Sequence, residues 1–303
     1  MKKLFAALLL LCLLLTGCAA PAEELPAEQT PIVQEPESDN LVVHFIDVDQ
    51  ADCMLLIAGE TTVLIDGGNT GTSTDVVSYL YRFGVDELDL LVNTHPHGDH
   101  LGGIPMVMEH FPVKQVWCSH ASFSTSLFSQ FKTEVTEQNL SIFCPNPGFT
   151  YEADGLSITV LGPLKENSHY EDLNDTSLVL MVQYGDRKFL FTGDMEKYAE
   201  EQLIRANTDL KADVLKVGHH GSYSSTSQNF LNRVDPDFGV ICCGWQNEYG
   251  HPHGAPMNRL KNAKVELFRT DTMGNVVMVT DGETLGIFLE PINLNINGYD
   301  VAA

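Results

Sequence analysis

The chain has 303 residues, 44% of them apolar, with 41 acidic against 17 basic side chains and a formal net charge of −24. That composition can bury a sizeable core and excludes a disordered or fibrous chain. A surface this acidic repels polyanions and lacks the basic footprint of a nucleic-acid-binding module.

The N-terminus reads Met1-Lys2-Lys3, then an almost wholly apolar run over residues 4–15, then Leu15-Thr16-Gly17-Cys18. A basic segment before a short apolar one is the layout of a secretory signal, and the run falls short of the about 20 apolar residues a spanning helix needs. Leu-Thr-Gly-Cys resembles the lipobox of bacterial lipoproteins. The resemblance implies a signal peptide over residues 1–17 and an extracytoplasmic protein anchored to the membrane by lipid on Cys18. Loss of Lys2 and Lys3 takes the charge from −24 to −26. Residues 18–40, with scattered prolines, several acids and no base, cannot bury enough apolar surface to fold and read as an extended tether. Residues 41–303 hold no internal linker or repeat and read as one folded domain.

Four β-rich runs open that domain, LVVHFIDV, CMLLIAG, TTVLIDGG and LDLLVNTH, with a helical pattern over residues 74–83 between the third and fourth. The fourth, residues 88–93, reads as a buried strand. His95 and His97 lie two apart past its end and therefore project to the same side. Gly98 permits a sharp turn before Asp99 and His100, and a helical segment runs from residue 101 to near His110. Four metal-competent side chains thus share one strand-to-helix loop beside a helix N-terminus. A polar loop in which Asp99 caps the helix is the structural alternative.

A second series follows, LSITVLGP, SLVLMVQYG, RKFLFTGD, ADVLKVG, FGVICCG, VELFRT, NVVMVTD and TLGIFLE, interrupted by helical patterns near 195–205 and 226–233. Strands followed by helices, twice over, predict two sheets packed face to face with helices outside. Asp194 sits between a strand and a helix, where an N-cap is its local role. His219 and His220 are adjacent at a strand end and point in different directions, so one faces metal and the other substrate. His251 follows the apolar run that ends at Cys243. Cys53, Cys118, Cys144, Cys242 and Cys243 are odd in number and wrongly spaced for a disulfide framework or a paired-cysteine zinc site, and read as small buried residues.

HPHGDH, residues 95–100, resembles the metal-binding signature of the metallo-β-lactamase fold superfamily. With it, HFIDVDQAD (44–52), LIDGG (64–68), NDTSL (174–178), TGD (192–194), KVGHHGS (216–222) and YGHPH (249–253) resemble, in order, the secreted hydrolase domain of ComEC-type competence proteins. The resemblance covers essentially all of residues 41–289 and implies an α/β fold, a four-layer αββα sandwich. It implies two divalent metal ions, zinc with manganese or iron as alternatives, bridged by Asp194. The implied ligands are His95, His97, Asp99, His100, Asp194, one of His219 and His220, and His251. Asp99, Asp194, His219 and His220 are then the catalytic residues. A typical metallo-β-lactamase has a further ligand histidine before the bridging aspartate. Here Asn174 and Ser177 stand at that point, and with Ser222 and His253 they are assigned to substrate. His169 is a rival ligand in acidic, loop-like surroundings, whereas His44, His110 and His120 have structural or surface readings. One departure is that the first motif ordinarily reads Asp-Val-Gly-Gln-Gly-Asp, and Asp49 and Ala51 replace both glycines. A positive φ at either position would strain that turn.

Imidazole and carboxylate ligands suit these metals, and two ions about 3.5–4 Å apart can clamp attacking and leaving oxygens while a bridging water ionises near neutral pH. The family context points to phosphodiester cleavage on the outer face of the membrane, with DNA among the substrates. Negative charge opposes a long polyanion, although divalent ions restore local positive charge and the loop over residues 222–227 offers hydroxyl donors. The alternatives are a phosphorylcholine-type esterase acting on envelope polymers, since such enzymes resemble this signature too, and a surface-binding lipoprotein without turnover.

Overall fold

The computed structural model describes residues 40–120, 123–164 and 172–290. The expected signal, Cys18, the tether up to residue 39 and His169 lie outside the described residues. Among the described residues no helix is long and apolar enough to cross a membrane.

The chain opens with an antiparallel meander, β1 (Leu41–Phe45), β2 (Met54–Ala58) and β3 (Thr61–Ile65). Helix α1 (Ser73–Arg82) carries it back so that β4 (Leu90–Asn93) lies parallel to β3. Helices α2 (Gly98–Leu101) and α3 (Ile104–His110) lead to β5 (Val116–Cys118), and α4 (Ser126–Glu137) leads to β6 (Ile142–Phe143), both again parallel. A second meander follows, β7 (Thr150–Ala153), β8 (Leu156–Gly162), β9 (Val179–Tyr184) and β10 (Arg187–Phe191). From β10 the parallel pattern returns through α5 (Lys197–Arg205), β11 (Val214–Lys216), α6 (Gln228–Val234), β12 (Phe238–Ile241), α7 (Gly254–Asn262) and β13 (Glu266–Arg269). After α8 (Thr270–Met273), the hairpin of β14 (Asn275–Thr280) and β15 (Leu285–Glu290) crosses back and pairs with β1. The sheet orders are β15-β14-β1-β2-β3-β4-β5-β6 and β13-β12-β11-β10-β9-β8-β7.

Period-two alternation explains why the two sheets are sandwiched between helices. Val63 and Ile65, Leu90 and Val92, and Leu180 and Val182 enter the core between the sheets. Their strand neighbours Leu64 and Leu91 join Val76, Leu80, Ile104 and Phe131 under the helices of the first sheet. Met181 and Leu190 join Leu203, Phe230 and Leu260 under those of the second. Both faces of each central strand are therefore buried, as sheets with helix crossovers require. The layers are helix, sheet, sheet, helix.

Three short strands, β5 to β7, and helices α4, α7 and α8 were not anticipated. β5 has three residues and β6 two, too few for a period to register. α4 is diluted with serine and threonine, although Phe128, Phe131 and Val135 keep helical spacing on its buried side. α7 opens on Gly254 and Pro256, signals that also read as a loop. The helix expected from residue 101 instead begins at Gly98 and breaks at Gly102-Gly103. A Cβ on Gly103 would collide with the Gly67 carbonyl oxygen, so this close approach requires glycine. Asp99 lies inside α2 rather than capping it, and Asp194 is not the cap of α5, where Glu196 occupies that position. Asp49 does carry a positive φ of 63°, a conformation aspartate tolerates better than most residues; Ala51 does not.

Candidate metal centre

The C-terminal ends of β4, β10, β11 and β12 deliver the histidines and aspartates to one end of the sandwich. Crossover connections leave such strand ends open to build a site. Each element contributes through a buried partner that orients its side chain.

From β4, His95 is fully buried and His97 half-buried, and His95 Nε2 and His97 Nδ1 converge to 3.0 Å. His95 Nδ1 lies 3.3 Å from both Thr94 Oγ1 and Ser177 Oγ. Those hydroxyls already donate, to Asp66 at 2.7 Å and to the Asn174 carbonyl at 2.7 Å. The proton between them is therefore on His95 Nδ1, which leaves Nε2 with its lone pair. His100 Nδ1 donates to Asp66 Oδ2 at 2.8 Å, and His220 Nδ1 to the Cys242 carbonyl at 2.9 Å. In both rings the Nδ1 proton is spent, so Nε2 is the atom left to bind a metal.

Asp99, His100, Asp194 and His220 each offer a ligand atom within 4.8 Å of the others. Asp194 Oδ2 is 3.3 Å from His100 Nε2, 3.5 Å from His220 Nε2 and 3.7 Å from His219 Nε2, while Asp99 Oδ2 is 3.3 Å from His220 Nε2. These near approaches do not satisfy hydrogen bonding. His100 Nε2, His220 Nε2 and Asp194 Oδ1 are all buried without a hydrogen-bond partner. Orphaned polar atoms converging on one point are costly unless a cation completes them, so the donor set fits a divalent metal.

The surrounding carboxylates draw positive charge to this point, either as protons on the two rings or as a metal that displaces those protons. Burial opposes charge on His100 and His220, yet the Asp194 carboxylate, with Asp66 and Asp99 around His100 and Asp52 beside His220, outweighs it and raises both pKa values well above the ordinary range. Burial likewise works against ionisation of Asp194, but His220 and His100 hold it well below the usual carboxylate range. His95 is shifted downward, by burial first and then by His100.

A second convergence, Asp52, Asp66 and His100, already has a cation of its own. Asp52 pairs with the fully buried ammonium of Lys216, and Asp66 accepts from Thr94, Asn93 and His100. Asp52 and Asp66 therefore brace the histidines from behind. They and Lys216 stand within the motifs quoted from the sequence but were given no role there, although a lysine ending the buried strand Val214–Lys216 demands a buried carboxylate and was a usable signal.

His219 and His220 both adopt left-handed backbone, φ 48° and 51°, which splays the two rings apart. His220 turns inward to the Asp99, His100 and Asp194 group, whereas His219 is half-buried with Nδ1 on Glu196 Oε1 at 3.0 Å. Glu196 also accepts from Ser224 Oγ at 2.7 Å and lies 3.4 Å from Asn174 Nδ2. Asn174 Oδ1 is buried and unpartnered. His251 and His253 stand beside the group rather than within it. Their rings are 4.8 Å apart, and the His251 ring is 5.5 Å from His219 and 6.2 Å from His220.

Two residues expected to meet substrate, Ser177 and Ser222, are buried. Ser177 is buried behind His95, donating to the Asn174 carbonyl and accepting from the Asp194 N–H at 3.1 Å, so it positions both. Ser222 is buried with its hydroxyl 2.9 Å from Ser224 Oγ. The hydroxyls expected to line that loop are mostly spent internally, Ser225 on the Met195 carbonyl and Ser227 on capping α6. Elsewhere, His44 is buried against Tyr79, and His110 caps its own helix through the Met106 carbonyl. Cys242 and Cys243 take opposite faces of their strand end in the two cores.

Residues 46–245 match the sequence profile of the metallo-beta-lactamase superfamily. ComE operon protein 3 of Bacillus subtilis is 30% identical over 252 residues, which are 77% of this chain and 32% of that protein. Competence protein ComA of Neisseria gonorrhoeae is 32% identical over 241 residues, 79% of this chain and 32% of that one. This chain thus spans about a third of the length of these relatives. Among solved structures, the metallo-beta-lactamase fold protein YhfI from Bacillus subtilis aligns with a TM-score of 0.56 at 14% identity, over 80% of this chain and 100% of that chain. At that identity the likeness bears on the fold.

Proposed function

Because this chain belongs to the metallo-beta-lactamase superfamily, we propose that it is a dinuclear metal-dependent phosphodiesterase, held on the outer face of the membrane by lipid on Cys18. The observation that carries the metal part is the convergence of orphaned, buried ligand atoms on Asp194. In this reading His95, His97 and Asp194 hold one ion, and Asp99, His100, His220 and Asp194 hold the other. Zinc suits the set, with manganese or iron as alternatives. Two divalent ions there supply a hydrolytic nucleophile at neutral pH and stabilise charge on phosphoryl oxygens.

The chain's own residues supply the rest. Burial lowers the His219 pKa, but its bond to Glu196 and the nearby Asp194 more than compensate and raise it. Tied to Glu196 through Nδ1 and with Nε2 on the Asp194 side, His219 is the group placed to give a proton to the leaving alkoxide. The relative named a competence protein makes DNA the first polymer to test.

The test compares initial rates of the full chain on an activated small diester, a DNA oligonucleotide, a phosphocholine ester and a chromogenic cephalosporin across salt, with Asp99→Ala as control. We expect diester turnover that Asp99→Ala abolishes. The rate on DNA should rise as salt is first added, because screening relieves repulsion from a chain of charge −24, while the small diester shows little dependence. Turnover of the cephalosporin alone refutes the reaction class, and turnover of the phosphocholine ester alone favours the envelope esterase.

A further inference from the structure

We propose that His251 and His253 are paired hydrogen-bond donors for a phosphoryl oxygen of the substrate rather than metal ligands, with Gln50 as the residue that sets His251 to donate. The substrate class rests on the phosphodiesterase reading; the donor assignment rests on hydrogen bonding alone.

A backbone N–H can only donate, and two of them fix the protons here. The Gly244 N–H donates to Gln50 Oε1 at 3.1 Å, so the other end of that amide is Nε2, a donor, and it lies 3.1 Å from His251 Nδ1. His251 Nδ1 therefore accepts, and the single proton of the neutral ring sits on Nε2. The Tyr223 N–H donates to His253 Nδ1 at 3.1 Å, which puts that ring in the same state. His95, His100 and His220 are opposite in kind: their Nδ1 protons are spent on hydroxyl, carboxylate and carbonyl oxygens, which leaves Nε2 as the atom for a metal. A metal takes a lone pair, whereas an N–H takes an anionic oxygen.

Both rings are held firmly beside the centre. Asn247 Oδ1 accepts from the His251 N–H at 3.0 Å and Asn247 Nδ2 donates to the His251 carbonyl at 2.6 Å, while the His253 N–H donates to the Gly221 carbonyl at 2.9 Å. Tyr249, 61% exposed, stacks on His251 at 5.7 Å, and Tyr223, 63% exposed, packs on His253 at 5.1 Å. The result is a rigid pair of neutral donors 4.8 Å apart at the outer side of the group. Such a pair grips one oxygen of a diester while leaving the compensation of its charge to the metals. It also explains why Ser222 is free to be spent internally.

The test uses the full chain, loaded with zinc and labelled at histidine nitrogen. Nitrogen NMR should find His251 and His253 protonated at Nε2 and bare at Nδ1, and titration with inorganic phosphate should move both Nε2–H signals. His251→Ala should keep its full metal content while kcat/KM on the activated diester falls about 10- to 150-fold, the range for a hydrogen bond to a charged group. Gln50→Glu, whose carboxylate draws the proton to His251 Nδ1, should match that loss with metal retained. Loss of a metal equivalent in His251→Ala, a proton on His251 Nδ1 in the native chain, or phosphate that moves neither signal overturns the proposal. If the native chain turns over no diester, the phosphodiesterase reading falls, and metal content, proton position and phosphate titration still decide the donor assignment.

Discussion

Lys216 should be the most destabilising single charge to remove from this protein. Its side chain is fully buried, as is that of Asp52, with which it pairs. Its ammonium also lies 3.4 Å from the Gly193 carbonyl. Asp52 in turn is 3.3 Å from His220 Nδ1 and 3.8 Å from His100 Nδ1, so the pair sits directly behind the candidate metal centre. Lys216→Met leaves the Asp52 carboxylate buried without its cation. Breaking a buried pair in this way costs about 3–5 kcal/mol. In a domain of this size each kcal/mol moves the melting temperature by about 2–4 °C, so a drop of roughly 6–20 °C is expected. Lys216→Met combined with Asp52→Leu replaces the pair by apolar side chains and should recover most of that loss, since such replacements are often neutral or stabilising. The double variant should nevertheless bind metal about 10- to 100-fold more weakly, because His220 loses the carboxylate behind it. Thermal and urea unfolding in chelator, followed by metal titration of each variant, separates the two effects. A single variant that melts with the native protein, or a double variant no more stable than the single, refutes the reasoning.

Asp194→Ala should lose most tightly bound metal from both positions, since Asp194 is shared; elemental analysis after gel filtration checks this, and a full metal complement contradicts the shared ligand. Burial lowers the His44 pKa from 6.5 to about 4, so only the unfolded chain takes up that proton between these values and stability falls as pH drops through them. His44→Phe should remove up to roughly 3 kcal/mol of that acid dependence in urea unfolding between those limits. Glu200 works in the opposite sense. Burial raises its pKa from 4.5 to about 7, so the folded state holds the extra proton and stability is lost as pH rises through that interval; Glu200→Gln should flatten the decline. Cys18→Ser should release the protein from membranes or block its processing, and unchanged membrane retention and processing would contradict the lipid anchor.

Much of the fold was legible because it is written in short periods. Alternation in the β-rich runs and the single helical pattern at residues 74–83 marked β1 to β4 and α1, and the second series marked β8 to β15. The dense cluster at residues 95–100 was legible for the same local reason: two histidines two apart past a buried strand must share a side. What sequence could not decide was anything set by residues distant along the chain. Which of His219 and His220 turns inward depends on left-handed backbone at both and on the Cys242 carbonyl, 22 residues away. Whether Ser177 and Ser222 face substrate depended on the acceptors the fold brought to them, and both were drawn inward. The proton on His251 is settled by Gln50, 201 residues earlier, and by the Gly244 N–H that orients its amide. Spacing decides which side chains can meet at a strand end, whereas hydrogen bonds between remote segments decide which atom of each side chain is left to act.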